Sequence, residues 1–440
     1  MSQEVGVALL YFSKSGKYGA YAVAAALEKR LRNVRVELMD IDRDLSIIER
    51  LRALSRKFRK LIIGISFNSL KLDRVRTLTK LIKDYVENCI LVAGGPHPTA
   101  DPLGTLTKLG FDIAVVGEGE ETFVELVEDI AGGGEGHVCG TAFVEGSQVI
   151  VLKRVKRVNL DEYPPTPTWR GIFGPIEIMR GCSSCCLFCQ VCYAFGPPRY
   201  RSIESIVEYA EVMWRHGLRD LRFIAPNSFG YGSPDGMKPE PSALLTLVER
   251  LRKLADRYGG RIFLGTFPSE VRPDSVDREM VKELRKMLDN KRIIVGAQSG
   301  SDRVLKMVNR HHTVQDVFEA VEALRSCGFE VDVDVIFGLP GEQEEDLKLT
   351  IEMCKKLVSM GARIHAHTFM PLPGTPLDEA PPGSVPTWVK KEVAKLVGMG
   401  KAYGYWREQE VLARILVSYR ESKFFYTLRE QRKHIKTVFC

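Results

Sequence analysis

The sequence predicts an α/β protein with two successive regions of alternating strands and helices, followed by a helical C-terminal segment. Three observations predict this fold. Apolar runs alternate with helical patterns over residues 5–145, the alternation recurs over 170–380, and a proline-rich stretch separates the two. Such alternation is typical of a parallel sheet covered by helices on both faces. The expected boundaries are 1–145 for the first domain, 146–172 for a linker, 173–380 for the second domain and 381–440 for a basic helical segment.

The first region contains five strand candidates. They read VGVALLYF, VRVELMDI, KLIIGIS, CILVAGG and DIAVVGEG, and helical patterns such as YGAYAVAAALEKRL lie between them. The glycines of 132–136 interrupt the pattern, and DEYPPTPTW at 161–169 follows. Because proline favours an extended chain that pairs poorly, this stretch is interpreted as a linker between domains.

The second region contains six strand candidates. They read IEIMR, LRFIAP, IFLGTF, RIIVGA, EVDVDVIFG and RIHAHTFMP, again with helical patterns between them. Six parallel strand–helix units form either an open sheet or an incomplete barrel. In both arrangements, ligands bind at the carboxyl ends of the strands. A cluster of cysteines follows the first of these strands directly, so we expect the functional site there.

Composition indicates a globular cytoplasmic protein. Of the 440 residues, 45% are hydrophobic and 27% charged, and no apolar stretch reaches the about 18 residues of a membrane span. The N-terminus has no secretion signal, so clustered cysteines are expected to bind metal rather than to form disulfides. The net charge of +7 comes from 385–440, which holds 12 Lys and Arg against 5 Asp and Glu. This segment is either a solvated face or a surface for an anionic partner, and no nucleic-acid module is recognised.

The stretch RGCSSCCLFCQVCY contains five of the ten cysteines. Cys182, Cys186 and Cys189 have the spacing C-x3-C-x2-C, and three thiolates in one loop can hold three irons of a [4Fe–4S] cluster. The fourth iron then stays open to a substrate or cofactor. Zinc is the competing metal. A closed zinc site needs four ligands, usually in two pairs, and no second pair exists elsewhere, which leaves Cys185, Cys192 or a distant histidine to complete one. Cys185 and Cys192 remain, with Cys192 a candidate proton donor or thiyl site and inert packing the alternative.

Several motifs then resemble radical S-adenosylmethionine (SAM) enzymes. The cysteine triad has an aromatic residue, Phe188, before its last cysteine. RYRSIESIVEYAE, GAQSGSDRVLKMVNRHHT, VDVIFGLPGEQEED and FMPLPGTPL follow in the order of that family, over about 200 residues. The resemblance implies a partial (βα)6 TIM barrel. The chain departs from the family at IAPNSFGYG, which lacks Gly-Gly-Glu and leaves Asn227 or Ser228 as substitutes for a contact to the methionine amino group.

The resemblance also implies a chemistry and a set of contacts. SAM would bind the open iron and be cleaved reductively to a 5′-deoxyadenosyl radical, with electrons from a donor such as ferredoxin or flavodoxin. By the same resemblance Phe188 would lie near adenine, Ser299 and Gly300 would contact the ribose or methionine, and Ile336 and Gly338 would pack on adenine. The alternative for these residues is ordinary packing at strand ends and in turns.

The first region resembles the cobalamin (B12)-binding domain of cobalamin-dependent radical SAM proteins. The resemblance rests on VAGGPHPTADP followed by DIAVVGEGEETFVELV, and it implies a Rossmann-like (flavodoxin-like) fold. The candidate cobalamin contacts are Gly94, Gly95, His97, Ser66 and Asn68. The chain has YFSKSGKYG where classical cobalamin modules carry D-x-H-x-x-G. That absence fits the radical subclass, and it also fits a flavodoxin-like domain that binds no cobalamin.

Cobalamin and a SAM-derived radical together imply methylation of an unactivated carbon by way of methylcobalamin. The competing interpretations are a rearrangement or cyclisation, an N-terminal domain that binds a partner, a methylthiotransferase and a non-catalytic cobalamin sensor. Methylthiotransferases place three cluster cysteines in the N-terminal domain, where this chain has only Cys89 and Cys139. The sequence does not reveal the substrate. Candidates for lining its site are Tyr193, Tyr200, His365 and His367.

Overall fold

The computed structural model describes residues 3–440, which divide into two compact units. Unit 1 runs to Gly174 and includes the later stretches 373–378 and 418–440. Unit 2 consists of 175–372 and 379–417. Among the described helices, none combines the length and apolar content that crossing a lipid bilayer requires.

Unit 1 is built on an eight-stranded sheet with the order β17-β7-β6-β5-β4-β3-β1-β2. Strands β1 to β5 are parallel, β6 pairs antiparallel with both β5 and β7, and β17 is parallel to β7. The strands are β1 (Gln3–Tyr11), β2 (Arg35–Asp40), β3 (Phe58–Ser66), β4 (Cys89–Gly94), β5 (Ile113–Val115), β6 (Thr141–Glu145), β7 (Gln148–Lys153) and β17 (Ile435–Phe439).

Helices cover both faces of this sheet, as the near-continuous apolar strands predict. Along β1, Val5, Val7 and Leu9 belong to one buried cluster and Ala8 and Leu10 to the other. The first cluster includes residues of α1 and α6, and the second includes residues of α2, α3 and α5. The helices are α1 (Lys17–Arg30), α2 (Ile47–Ser55), α3 (Leu72–Tyr85), α4 (Pro96–Ala100), α5 (Pro102–Thr107), α6 (Gly119–Ala131) and α16 (Leu428–Gln431).

In unit 1, three strands, β6, β7 and β17, lie where the sequence predicts none. β7 falls within the predicted linker, and β17 falls within the segment predicted to be helical. β17 pairs with β7 at the edge of the sheet, and Cys440 beside it forms a disulfide with Cys139. β17 reads IKTVF, in which Lys436 and Thr437 interrupt the apolar residues, and four of its five residues are exposed. The strand thus lacks the continuous apolar run that is typical of a buried strand.

Unit 2 contains the six predicted strand–helix repeats, but its barrel is not closed. Strands β8, β11 and β12 form one parallel sheet, β13 to β16 form another, and β9 pairs antiparallel with β10. The strands are β8 (Ile176–Glu177), β9 (Met179–Arg180), β10 (Arg199–Tyr200), β11 (Asp220–Ile224), β12 (Arg261–Phe263), β13 (Arg292–Gln298), β14 (Glu330–Phe337), β15 (Arg363–Thr368) and β16 (Ala402–Tyr403).

The helices of unit 2 pack their apolar sides against these strands. In β14, for example, Val331, Val333 and Val335 are buried and alternate with acidic residues of the opposite face. The α/β fold expected from the sequence is thereby confirmed. The helices are α7 (Gln190–Phe195), α8 (Ile203–Arg215), α9 (Pro241–Tyr258), α10 (Arg278–Met287), α11 (Asp302–Met307), α12 (Val314–Ser326), α13 (Glu344–Ser359), α14 (Thr387–Gly398) and α15 (Trp406–Glu421), which begins in this unit.

Candidate functional site

The cysteine triad lies in a tight loop between β9 and α7. The N–H of Cys182 donates to Gly196 O at 2.8 Å, and the N–H of Cys189 donates to Cys186 O at 3.0 Å. Gly181 precedes the loop with φ of 86°, where a Cβ would collide with the carbonyl of Pro197. Glycine is therefore required for the loop to close on itself. All three cysteines have free thiols in the structure.

Two arginines place positive charge beside the triad. Arg310 Nη1 lies 3.5 Å from Cys186 Sγ, and Arg272 Nη1 donates to Ser184 Oγ at 2.5 Å. Ser184 Oγ in turn lies 3.4 Å from the same sulfur. Burial acts to raise the pKa of Cys186, but Arg310 and the Ser184 hydrogen bond outweigh it and hold that pKa below its usual value. Cys186 is therefore the triad member that is prepared to be a thiolate.

The other two thiols have raised pKa values. Burial raises the pKa of Cys189 to about 11, and it raises the pKa of Cys182 as well, while the neighbouring cysteines add repulsion. A cationic iron centre removes that penalty, because metal coordination deprotonates a thiol outright. Three mutually repelling sulfurs, those of buried Cys186 and of partly buried Cys182 and Cys189, with arginines beside them thus fit an iron–sulfur cluster.

The remaining two cysteines of the stretch are bonded to each other. Cys185 and Cys192 form a disulfide, with their Cα atoms 5.0 Å apart. Their loop is braced from α11's C-terminal side, where Asn309 Nδ2 donates to the carbonyls of Ser184 at 3.0 Å and Cys185 at 3.1 Å. Cys192 can therefore act as a proton donor or thiyl site only when this disulfide is reduced.

The residues after β11 support this loop from the other side. Asn227 is fully buried, and its Oδ1 accepts from Arg272 N at 3.0 Å and from Ser275 Oγ at 2.9 Å. Its Nδ2 donates to Gly236 O at 2.9 Å. The side chain of Asn227 thus orients the turn that carries Arg272 and is fully used in doing so. Ser228 is buried as well, so neither residue presents a free group for the methionine contact suggested by the sequence.

The predicted SAM contacts lie at the carboxyl ends of β13 and β14, with Phe188 half-buried in the cysteine loop. Ser299 is buried with its Oγ 3.4 Å from Thr350 Oγ1, and Gly300 N donates to that oxygen at 3.0 Å. A Cβ at Gly300 would lie 2.5 Å from Thr350 Cα. Both residues therefore have a packing partner on α13 in this structure, and their contact to SAM stays a prediction.

At the carboxyl end of β14, the two predicted adenine contacts, Ile336 and Gly338, differ in their local structure. Ile336 is half-buried near the end of β14. Gly338 has φ of 76°, and a Cβ there would lie 2.7 Å from Ser384 N. The turn itself therefore requires glycine at position 338. The N–H of Gly338 donates to Glu342 Oε2 at 2.8 Å. The contact of Ile336 with adenine stays a prediction.

In unit 1, four of the predicted cobalamin contacts lie together at the ends of β3 and β4. Ser66 is in register with Gly94, Gly95 has φ of 102°, and Asn68 Oδ1 accepts from Leu70 N at 3.1 Å. A Cβ at Gly94 would meet nothing within 4 Å, whereas one at Gly95 would lie 2.8 Å from Phe67 O. Gly94 therefore faces open space, as an edge that receives a large planar cofactor requires.

His97 lies in the core rather than at that edge. It is fully buried, its Nδ1 lies 2.9 Å from Ser69 Oγ, and its ring packs near Phe67 and Phe425. Burial lowers the pKa of His97 to about 3, so the ring is neutral. The structure thus encloses the ring in protein, and the contact of His97 with cobalamin stays a prediction. The spacing of a loop histidine does not reveal on which side of its turn the ring will lie.

The inner face of unit 2 carries a cluster of polar side chains with more members than the sequence predicts. His365 and His367 of β15 lie beside Asp334 of β14, and Glu270 lies in the segment after β12. Asp334 and Glu270 are absent from the sequence-based candidates. The alternation EVDVDV does place acidic residues on one strand face, but only strand register shows that this face meets the two histidines.

Glu270 gives this face a measurable pH dependence. Burial, followed by repulsion from Asp334, raises its pKa from 4.5 to about 7. Between these values the folded unit keeps a proton that the unfolded chain releases, so stability falls as pH rises from about 4.5 to 7 and then levels off. We expect Glu270→Gln, which cannot ionise, to lose several degrees less in Tm between pH 5 and pH 8. Equal Tm changes in the variant and the original chain would contradict the burial of an ionisable carboxyl here.

Comparison with known proteins is consistent with this geometry. The B12 binding domain family model matches residues 11–127, and the radical SAM superfamily model matches residues 176–354. An uncharacterised protein of Methanopyrus kandleri is 29% identical over 67% of this chain and 63% of its own length. An uncharacterised methyltransferase of Pyrococcus horikoshii is 27% identical over 74% and 70%. A threonylcarbamoyladenosine tRNA methylthiotransferase of Thermotoga maritima is 30% identical over 49% and 48%.

Two solved structures share the fold at low sequence identity. The radical SAM methyltransferase TsrM of Kitasatospora setae, solved with cobalamin and a [4Fe–4S] cluster, has a TM-score of 0.69 and 18% identity over 86% of this chain and 74% of its own. The cobalamin-dependent radical SAM enzyme OxsB, solved with aqua-cobalamin and SAM, has a TM-score of 0.68 and 17% identity over 98% and 70%. The chain therefore belongs to the proteins that join a B12-binding domain to a radical SAM domain, and these domains imply a [4Fe–4S] cluster, SAM and cobalamin as its cofactors.

Proposed function

We propose that this radical SAM protein uses cobalamin to methylate an unactivated carbon of its substrate. The observation that carries the proposal is the presence, in one chain, of a free cysteine triad beside Arg310 and of an open glycine edge in a B12-binding domain. The names of two similar proteins support it, since TsrM and the Pyrococcus relative are both called methyltransferases.

The bound cofactors would supply the chemistry that amino-acid side chains lack: SAM and the cluster a hydrogen-abstracting radical, cobalamin a carrier for the methyl group. Cys182, Cys186 and Cys189 would hold three irons. Arg310 and Arg272 would offset the negative charge of the sulfurs and so favour the reduced cluster. An electron donor such as ferredoxin or flavodoxin is part of the proposal.

The chain's other residues would bind and orient. Gly94 would let the planar face of cobalamin approach the backbone, with Ser66 and Asn68 offering polar groups beside it. Ile336 would supply an apolar surface for adenine at the end of β14. Residues near the carboxyl ends of β14 and β15 would meet the substrate, because ligands of such folds bind at the carboxyl ends of the strands.

Methylthiotransfer to tRNA is the second candidate. It is favoured by the 30% identity to the Thermotoga enzyme, which extends over 49% of this chain. The cysteines of unit 1 argue against it. Cys89 lies in β4, partly buried, and Cys139 is bonded to Cys440. In the described residues these positions do not form the three-thiolate set that the N-terminal cluster of that family needs. A rearrangement or cyclisation also competes with methylation, as does a partner-binding role for the B12-binding domain.

Methyl transfer can be tested before the substrate is known. The chain would be reconstituted anaerobically with iron and sulfide, with or without hydroxocobalamin, and given SAM and a reductant. We expect 5′-deoxyadenosine in both samples and S-adenosylhomocysteine only in the sample with cobalamin, because the methyl group leaves SAM by a route that needs that carrier. Formation of 5′-deoxyadenosine without S-adenosylhomocysteine, with cobalamin bound, would contradict methylation and favour a rearrangement or cyclisation.

A further inference from the structure

The inner face of unit 2 brings two histidines and one aspartate together. Asp334 of β14 is in register with His365 of β15, and His367 is in register with Ile336. All three side chains of this cluster, which we call the His–Asp cluster, are mostly buried, with 16%, 23% and 25% of their side-chain surface exposed for Asp334, His365 and His367. They are therefore mostly enclosed by protein but still accessible to a ligand.

We propose that the His–Asp cluster binds a divalent transition-metal ion, separate from the iron–sulfur cluster. The carboxylate Oδ1 of Asp334 lies 2.8 Å from His365 Nδ1 and 3.7 Å from His367 Nε2. The two ring nitrogens are 3.1 Å apart. Ligand atoms that share an ion at about 2.1 Å are separated by roughly 3.0–3.4 Å in octahedral or tetrahedral geometry, so one ion can reach all three after small shifts.

The electrostatics of this face favour a cation. Asp334 is a mostly buried carboxyl group whose Oδ1 lies beside the ring nitrogens of His365 and His367. Glu270 is a second buried carboxyl close enough to be affected by the charge of Asp334. Two mostly buried carboxyl groups and two imidazoles thus offer oxygen and nitrogen ligands to a divalent ion, which would offset the cost of burying a carboxylate here.

Neighbouring side chains hold the two rings in place. The ring of His365 stacks on Tyr403 with centroids 4.5 Å apart, and the Tyr403 hydroxyl donates to Asp332 Oδ2 at 2.7 Å. Gln409 Nε2 lies 3.2 Å from Nδ1 of His367, the ring nitrogen opposite to the proposed ligand atom. A hydrogen-bond acceptor on that second nitrogen is the usual means by which proteins orient a metal-binding histidine, and Gln409 supplies one only when its amide turns.

The hydrogen-bond pattern without an ion contains a conflict. Gln409 Oε1 accepts from Thr368 N at 2.9 Å, so its Nε2 donates to His367 and leaves the proton of that ring on Nε2. That proton faces Nδ1 of His365, which must itself donate to Asp334. An ion would resolve the conflict, because both nitrogens would then be lone-pair ligands and each ring would carry its proton on the opposite nitrogen.

This proton count makes Gln409 a sharp test. With the ion bound, the Nδ1–H group of His367 needs an acceptor. Gln409 has only one amide oxygen, and in the structure that oxygen already accepts from Thr368 N. The amide would therefore have to turn, and Thr368 N–H would lose its acceptor. A glutamate offers oxygens to both donors at once. We therefore expect Gln409→Glu to tighten metal binding about tenfold, the lower end of the usual effect of such partners.

Two imidazoles and one carboxylate suit Fe²⁺, Mn²⁺, Co²⁺ or Zn²⁺, and they leave further coordination positions for water or a substrate group. Mn²⁺ is the most useful probe, because it prefers nitrogen and oxygen to the thiolates of the cysteine loop. The inference does not depend on methyl transfer, since an ion here could bind a polar group of any substrate.

The experiment is a titration of the cluster-loaded full chain with Mn²⁺, with free ion measured by its electron paramagnetic resonance signal. We expect one saturable site per chain, weakened at least tenfold in Asp334→Asn and in His365→Ala and unchanged in His216→Ala. His216 is a matched control because it lies on exposed surface just after α8, with its ring bonded to the carbonyl of Val212. Iron content and circular dichroism would confirm that each variant is folded.

Two outcomes would overturn the proposal. One is the lack of saturable Mn²⁺ binding in the original chain. The other is binding that survives both Asp334→Asn and His365→Ala. If either of these variants fails to fold, Gln409→Glu decides: tighter binding supports the His–Asp cluster as the site, and unchanged or weaker binding counts against it.

Discussion

Replacement of Cys186 by alanine is expected to abolish cluster binding and, with it, SAM cleavage. Cys186 is the buried member of the triad and the one whose sulfur Arg310 and Ser184 contact directly. A cubane held by three thiolates does not tolerate loss of one of them, since two attachment points leave two irons exposed. We expect iron to fall from about four per chain to below about one, and 5′-deoxyadenosine formation to fall at least about a hundredfold.

Cys327→Ala is the matched control for this experiment. Cys327 is a free, half-buried cysteine that follows α12, far along the sequence from the triad, and its sulfur lies 4.0 Å from the carbonyl of Arg278. This variant should keep its iron and its activity. Full iron content in Cys186→Ala would show that other residues hold the metal, and equal losses in both variants would show that the cysteines act through folding.

Replacement of Gly94 by phenylalanine is expected to prevent cobalamin binding while leaving the chain folded. A Cβ at Gly94 meets nothing within 4 Å, so a side chain can leave the backbone there without displacing protein atoms. It would occupy the open space at the ends of β3 and β4 that we assign to the cofactor. Cobalt after reconstitution should fall from about one per chain to below about a tenth, with Tm changed by no more than a few degrees.

Gly398→Phe provides the comparison, because a Cβ at Gly398 in α14 also meets nothing within 4 Å. It should bind cobalamin normally. The iron content and the SAM cleavage of Gly94→Phe should also stay normal, which would separate the two cofactor sites functionally. Cobalamin retained at full occupancy by Gly94→Phe would show that the cofactor binds elsewhere in the chain.

Local patterns predict the parts of this molecule that depend on neighbours in sequence. The apolar runs predict β1, β3 and β4, and the cysteine spacing selects three thiols that the structure leaves free in one loop. Likewise, the sequence predicts that Gly94, Ser66 and Asn68 lie together, because the ends of neighbouring parallel strands meet at one edge of a sheet. The register of β3 with β4, which pairs Ser66 with Gly94, agrees with this prediction.

Features that depend on tertiary register or on side-chain direction are not predictable in this way. The meeting of Asp334 with His365 requires the register of two strands, and β17 pairs with β7 across almost 300 residues. His97 follows a strand end like a ligand-binding residue, yet its turn directs the ring into the core. The sequence contains no local signal for which of the two directions a side chain will take.

The discontinuity of unit 1 has a consequence for how the chain is made. Unit 1 is complete only when residues 373–378 and strand β17 have been synthesised, long after its other strands. Residues 175–372 of unit 2 leave the ribosome after the first part of unit 1 and before these last parts. Until then β7 has an unpaired edge, which is a template for misassociation with other chains. A nascent chain halted within unit 2 would thus carry a B12-binding domain without its last strand, and we expect chaperones and proteases to recognise it until translation passes β17.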